Sequence, residues 1–168
     1  WVIKAVKDDN TGSGFYGCLI ETSPDEAIIG FRGSENIDAN QTVKDWALAD
    51  FGLLNSEQTW QQQVAEEFMG EINESYDYDS YYTTGHSLGG NLSNHAAITA
   101  PEDMKEKIIQ SYSFDGPGFS QEYLDSHKNQ IRDSQGMLTH YRWSIVGNLL
   151  TQPKGTKDQP VDLKNTFL

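Results

Sequence analysis

Cysteine is nearly absent from this chain. Cys18 stands alone, so no disulfide can form within it. Its setting, Phe15-Tyr16-Gly17-Cys18-Leu19-Ile20, reads as strand, where a buried inert thiol is expected rather than a nucleophile. Bases are scarce: 12 Lys and Arg stand against 25 Asp and Glu, a net charge of −13. Such a surface repels phosphate backbones and anionic headgroups. Nucleic acid is therefore excluded as an expected partner, and a lipid interface is left only transient contact through an apolar patch. No apolar run is long enough to span a membrane as a helix, and no signal peptide is visible. The compartment stays open between cytoplasm and exterior. The chain begins on Trp1 rather than Met and reads as incomplete at its termini. Histidine is sparse, with His86, His95, His127 and His140 scattered and far from Cys18. No zinc spacing results. The acids Asp77, Asp79, Glu102 and Asp103 lack the central glycine of a calcium loop and read as a solvated face. Neither a metal nor a cofactor is expected.

What is present suits one domain over residues 1–168, with no linker and no internal repeat. Hydrophobic residues make up 36% of the chain, enough for a packed interior. Residues 1–6 and 15–21 read as strands joined by a Gly-rich turn. Ala27–Phe31 is a continuous apolar run, as in a strand buried on both faces. From Asn55 to Tyr76, Trp60, Val64, Phe68 and Ile72 fall four apart on one helical stripe. Asn55 with Gln58 fits a capping box at its start. Tyr81–Thr84 reads as strand, 88–100 as helix, 102–107 as turn or helix, 108–114 as strand, 120–132 as helix and 137–143 as strand. After Leu150 the period is lost and a loop is expected. The alternation predicts an α/β-hydrolase type of fold: a mostly parallel central sheet with helices on both faces, and antiparallel strands at the N-terminal side.

Gly85-His86-Ser87-Leu88-Gly89 falls between a strand and a helix, the context of a nucleophile elbow. The serine of such a turn has a strained backbone, and the flanking glycines let strand and helix approach without collision. The first amides of the helix then face the hydroxyl and favour negative charge there. The Leu88 N–H is the first candidate oxyanion donor. Gly33-Ser34, closing the run 27–31, is either the second donor site, through the Ser34 N–H or hydroxyl, or merely a turn.

Several of these stretches carry a resemblance. Thr84-Gly85-His86-Ser87-Leu88-Gly89-Gly90 resembles the nucleophile motif of the class 3, fungal-type lipases. Ile29-Gly30-Phe31-Arg32-Gly33-Ser34 is similar to their oxyanion strand, and Asp45-Trp46-Ala47-Leu48-Ala49-Asp50-Phe51 to their Trp-containing segment. Phe114-Asp115-Gly116-Pro117-Gly118-Phe119 and Ser144-Ile145-Val146-Gly147-Asn148-Leu149-Leu150 are closer to a bacterial branch of lipase-like α/β hydrolases. The resemblance is collinear from about residue 27 to residue 150. It implies an oxyanion hole of Ser34 and Leu88, a lid over Glu35 to Thr42, and Trp46 packed beneath that lid. An ordinary core aromatic is the other reading of Trp46.

A serine nucleophile needs a base, and the base an orienting acid. In most lipases of this type the acid follows the strand two places after the serine strand, but here that position is Ser144. Asp115, at the end of the strand immediately after the serine helix, is the candidate acid, since the order Ser then Asp suits the fold. An Asp that simply opens a Gly-Pro turn is the alternative. No histidine fits the base. His140 lies inside a strand, several residues from the catalytic edge. His127 is on a surface helix, His95 is more than two turns from Ser87, and His86 faces into the sheet in similar proteins. The catalytic histidine is thus not identified.

The expected function is that of a serine ester hydrolase, lipase or carboxylesterase in type, acting on a small-molecule or lipid ester through an acyl-enzyme on Ser87. The alternatives are a catalytically silent hydrolase fold that serves binding, and an acyltransferase.

Overall fold

A computed structural model describes residues 1–9, 11–33 and 58–162. Its sheet has seven strands in sequential order. They are β1 (Val2–Asp9), β2 (Phe15–Ser23), β3 (Glu26–Phe31), β4 (Ser80–His86), β5 (Ile108–Phe114), β6 (Leu138–Arg142) and β7 (Lys157–Pro160). The first three pair antiparallel, and β3 through β7 run parallel. This is the mixed sheet that the alternation of strand and helix signals predicts.

Helices α1 (Trp60–Ser75), α2 (Leu88–Thr99), α3 (Glu102–Lys105), α4 (Gln121–Ser126) and α5 (Lys128–Asp133) supply the second layer. On the sheet face that meets α1 and α2, Phe15, Leu19, Ala27, Ile29, Phe31 and Tyr81 are buried. Phe15 meets Phe31 and Phe68 edge to face at 6.0 and 6.2 Å. The expectation of helices on both faces is refined here. Right-handed crossovers between sequentially neighbouring strands return to the same side each time. The described helices accordingly gather on one face. On the other, Tyr82, Tyr112, Phe114 and Tyr141 form a stacked row with centroids 5.4–6.5 Å apart. These four are half-buried or exposed. Cys18 is half-buried there, and desolvation raises its thiol above the ordinary value, consistent with the inert role read from sequence.

Four local expectations change. Thr59, not Asn55, caps α1: its hydroxyl accepts from the Gln62 N–H at 3.2 Å and its own N–H donates to Gln62 Oε1 at 2.9 Å. Asn55 lies outside the described residues. Trp60, at the first helical position, is 68% exposed, whereas Val64, Phe68 and Ile72 are buried. The single helix expected over 120–132 is two short ones meeting at His127. β7 was read as loop because Lys-Asp-Gln-Pro has neither apolar alternation nor β-branching. It is an edge strand held by its charges: Asp158 accepts from Arg142 Nε at 2.8 Å and pairs with His140 Nδ1 at 3.1 Å.

A buried polar joint ties α1, α2 and α4 together. His95 is fully buried. Its Nε2 faces two acceptors, the Gln62 carbonyl at 3.0 Å and Glu66 Oε1 at 3.3 Å. The proton therefore sits on Nε2, and Nδ1 accepts from the Tyr123 hydroxyl at 2.6 Å. Burial pushes the His95 and His140 imidazoles below their ordinary value, with Glu66 and Asp158 pulling the other way. Unfolded histidines take up protons near pH ~6.5. Below that pH the unfolded state binds more protons than the folded one, so stability falls on acidification. The melting temperature is expected to drop between about pH 7.5 and about pH 5.5, before carboxylates titrate. Thermal denaturation across that range checks this, and a flat profile contradicts it.

Candidate active site

Ser87 sits between β4 and α2 with φ 57° and ψ −128°, a region that L side chains rarely occupy and that costs of order 1–3 kcal/mol. Its N–H donates to the Phe114 carbonyl at 2.9 Å, which pins the turn to the end of β5. The flanking glycines are required by sterics. A Cβ on Gly85 would lie 2.2 Å from the Gly89 carbonyl oxygen, and one on Gly89 would lie 2.2 Å from that of Phe31. Gly89→Ala is expected to destabilise the protein by about 3 kcal/mol or more, since backbone must move to admit the methyl. Denaturant unfolding measures this, and a loss under about 1 kcal/mol contradicts it.

Leu88 opens α2, so its N–H has no partner in the helical ladder and faces the same end as the hydroxyl. Across from it, a Cβ on Gly33 would come within 2.6 Å of the His86 carbonyl oxygen and 3.4 Å of Ser87 Cβ. The end of β3 thus runs directly against the serine turn. Ser34, the expected second oxyanion donor, lies outside the described residues. So do Trp46 and the stretch Glu35 to Thr42 expected as a lid.

Asp115 follows β5 and is 3% exposed, with a positive φ of 53°. Its Oδ1 accepts the N–H groups of Trp143 and Ser144, both at 2.9 Å. Its Oδ2 accepts the Ser144 hydroxyl. The Val146 N–H donates to Ser144 Oγ at 3.0 Å and the Asn148 amide donates to the Ser144 carbonyl at 2.7 Å. The loop after β6 is therefore wrapped around the Asp115 carboxylate. Ser144 and Asp115, read separately in the sequence, are one arrangement. Three donors occupy part of the roughly four lone-pair positions of a carboxylate, leaving room for one more donor such as an imidazole N–H.

Asn91 is a residue that the sequence reading passed over. Fully buried on α2, it accepts from Gln62 Nε2 at 2.8 Å and donates to the Pro117 and Gly118 carbonyls at 3.3 and 2.8 Å. It locks the segment after Asp115 to the serine helix. Asn91 is one of four polar side chains buried on this helix, with Ser93, Asn94 and His95, so no sequence pattern singles it out.

The histidines fall away from the serine. His86 does not face into the sheet as expected. It is exposed and stacks on Trp143, with centroids 5.8 Å apart, because the β4 alternation turns it toward the sparsely covered face. His95 is committed to the buried joint. His127 stacks on Tyr123 at 4.0 Å. His140 is fully buried in β6 beside Asp158, two residues short of the strand end. Among the described residues, no histidine is hydrogen-bonded to Ser87 or Asp115, and His140 feels the Asp115 charge without bonding to it.

A strand-to-helix serine in a strained turn, met by a glycine-thinned strand end, on a mixed sheet of this order, is the arrangement of the lipase-like α/β hydrolases. The family model for Mbeg1-like proteins matches residues 3–158. The chain belongs to the Mbeg1-like family. A crystal structure of a triacylglycerol lipase from Penicillium expansum superposes with a TM-score of 0.55 at 18% identity, covering 95% of this chain and 67% of the lipase. That likeness is one of fold, and it agrees with the class 3 resemblance of the motifs. No curated protein matches the sequence.

Proposed function

We propose that this Mbeg1-like protein is a serine ester hydrolase that works through an acyl-enzyme on Ser87. The observation that carries the reading is the Ser87 backbone, held at φ 57° and ψ −128°. Strain of this kind persists where the surroundings enforce it, and it concentrates at reactive positions. In the proposed reaction the Ser87 oxygen attacks the acyl carbon of an ester and its proton passes to a base. The developing oxyanion takes the Leu88 N–H and a donor at Ser34. The alkoxide leaves with the proton, and water then releases the acid. Asp115 is proposed as the acid that orients the base, its carboxylate fixed by the Trp143 and Ser144 donors. A lipid or small-molecule ester is the proposed substrate class.

The experiment is hydrolysis of short- and long-chain p-nitrophenyl esters by the protein purified from its native reading frame. Saturable turnover abolished by Ser87→Ala supports the reading, and turnover indifferent to that change overturns it. A second reading, a silent hydrolase fold that serves binding, is favoured by the lack of a histidine hydrogen-bonded to Ser87 or Asp115 among the described residues. It predicts no turnover of any ester. Products formed on added alcohols would distinguish acyl transfer from hydrolysis.

A further inference from the structure

A cavity of about 500 Å³ lies on the flank between α4–α5 and the segment that precedes β7, within the range typical of small-molecule sites. Leu124 and buried Ile131 give it an apolar floor. Lys128 and Arg132, four residues apart on α5, and Lys154 from the opposite wall give it three cations. None of its lining residues is acidic, in a chain where acids outnumber bases 25 to 12. One quarter of the chain's bases thus face one cavity, against the prevailing charge. Arg132 shares its Nε with Asp133 at 3.2 Å, outside the lining. Lys128 and Lys154 have no side-chain partner among the described residues. Like charges four apart on a helix repel each other, and a bound anion would relieve that repulsion.

We infer that this cavity binds a single-chain anionic amphiphile, an alkyl carboxylate whose head meets Lys128, Arg132 and Lys154 and whose chain lies on Leu124 and Ile131. A small inorganic anion would leave the apolar floor wet. An uncharged chain would leave the cations unmatched. The wall at Gln152 donates from Nε2 to the Gly116 carbonyl at 3.2 Å, so an occupant would bear on the segment that carries Asp115. The inference does not rest on Ser87 being a nucleophile.

The test is isothermal titration of monomeric decanoate and octanoate, below their micelle concentrations, into the intact protein. Decanoate is expected to bind saturably and about fifteenfold more tightly than octanoate, since each of its two extra methylenes is worth about fourfold in affinity when buried. Lys128→Glu with Lys154→Glu, both at exposed positions, should weaken decanoate at least about tenfold without lowering the melting temperature. Lys128→Gln with Lys154→Gln should fall between. Binding should be unchanged in Ser87→Ala, so loss of esterase function and loss of this site are separable. The inference is overturned if decanoate does not saturate, if decanol or decyltrimethylammonium binds as tightly, or if charge reversal leaves the affinity intact. Binding of inorganic phosphate at the strength of decanoate, or of phosphatidylglycerol vesicles in place of decanoate, also overturns it.

Discussion

Ser87→Ala is expected to lower kcat/KM for p-nitrophenyl esters by about 10⁴-fold or more, the scale seen when a triad nucleophile is removed. The far-UV circular dichroism should not change, because no side-chain hydrogen bond of Ser87 caps α2. Ser87→Gly sharpens the test. Glycine relaxes at φ 57° and ψ −128°, so this variant should be equally inactive yet more stable than the native protein by about 1 kcal/mol. Loss of activity joined to a gain in stability is the mark of strain kept for function. Denaturant melts with parallel ester assays check both halves. A Ser87→Gly protein that is less stable would mean that the turn is not strained.

The second large effect is expected at Asp115. Asp115→Asn should reduce kcat by about 10³–10⁴-fold, as loss of the orienting acid does elsewhere. It should also destabilise by about 1–3 kcal/mol, because the amide can no longer accept all of the Trp143 and Ser144 donors. The two losses are separable. Ser144→Ala removes one donor to the carboxylate and should cost stability of about 1 kcal/mol with a far smaller loss of rate. By the class 3 resemblance, Ser144 occupies the position expected of the acid. Combining Asp115→Asn with Ser144→Asp should restore part of the lost kcat, since the carboxylate returns to the same neighbourhood from the adjoining strand end. Near-native turnover by Asp115→Asn alone would reduce Asp115 to the opening of a Gly-Pro turn.

Much of the fold was legible because it rests on local physics. Apolar runs marked β2, β3 and β5. The stripe through Val64, Phe68 and Ile72 marked α1, and the glycines around Ser87 marked the elbow. β7 was invisible because its place is set by Asp158 meeting Arg142 and His140 on β6, a long-range match that no periodicity records. Trp60 misled because helical spacing does not say where the buried stripe ends. The one-sided placement of the described helices was not legible because alternation of strand and helix does not state strand order, and sequential order sends each crossover to one face.

The candidate site was legible in part for the same reason. Ser87 and Leu88 are contiguous, so a motif finds them. Asp115 and Ser144 are 29 residues apart, and only the pairing of β5 with β6 shows that the serine holds the aspartate rather than replacing it. Asn91 has no motif at all. Its role comes from Gln62 and from the Pro117 and Gly118 carbonyls.

The central claim is that Ser87 carries an activated hydroxyl. A fluorophosphonate probe reacts with serines whose hydroxyl is made nucleophilic by their surroundings, and intact mass with peptide mapping reads the adduct directly. The account predicts one adduct per chain, on Ser87, in the folded native protein and none after denaturation or in Ser87→Ala. A folded protein that remains unlabelled, or that is labelled at another serine, would contradict it.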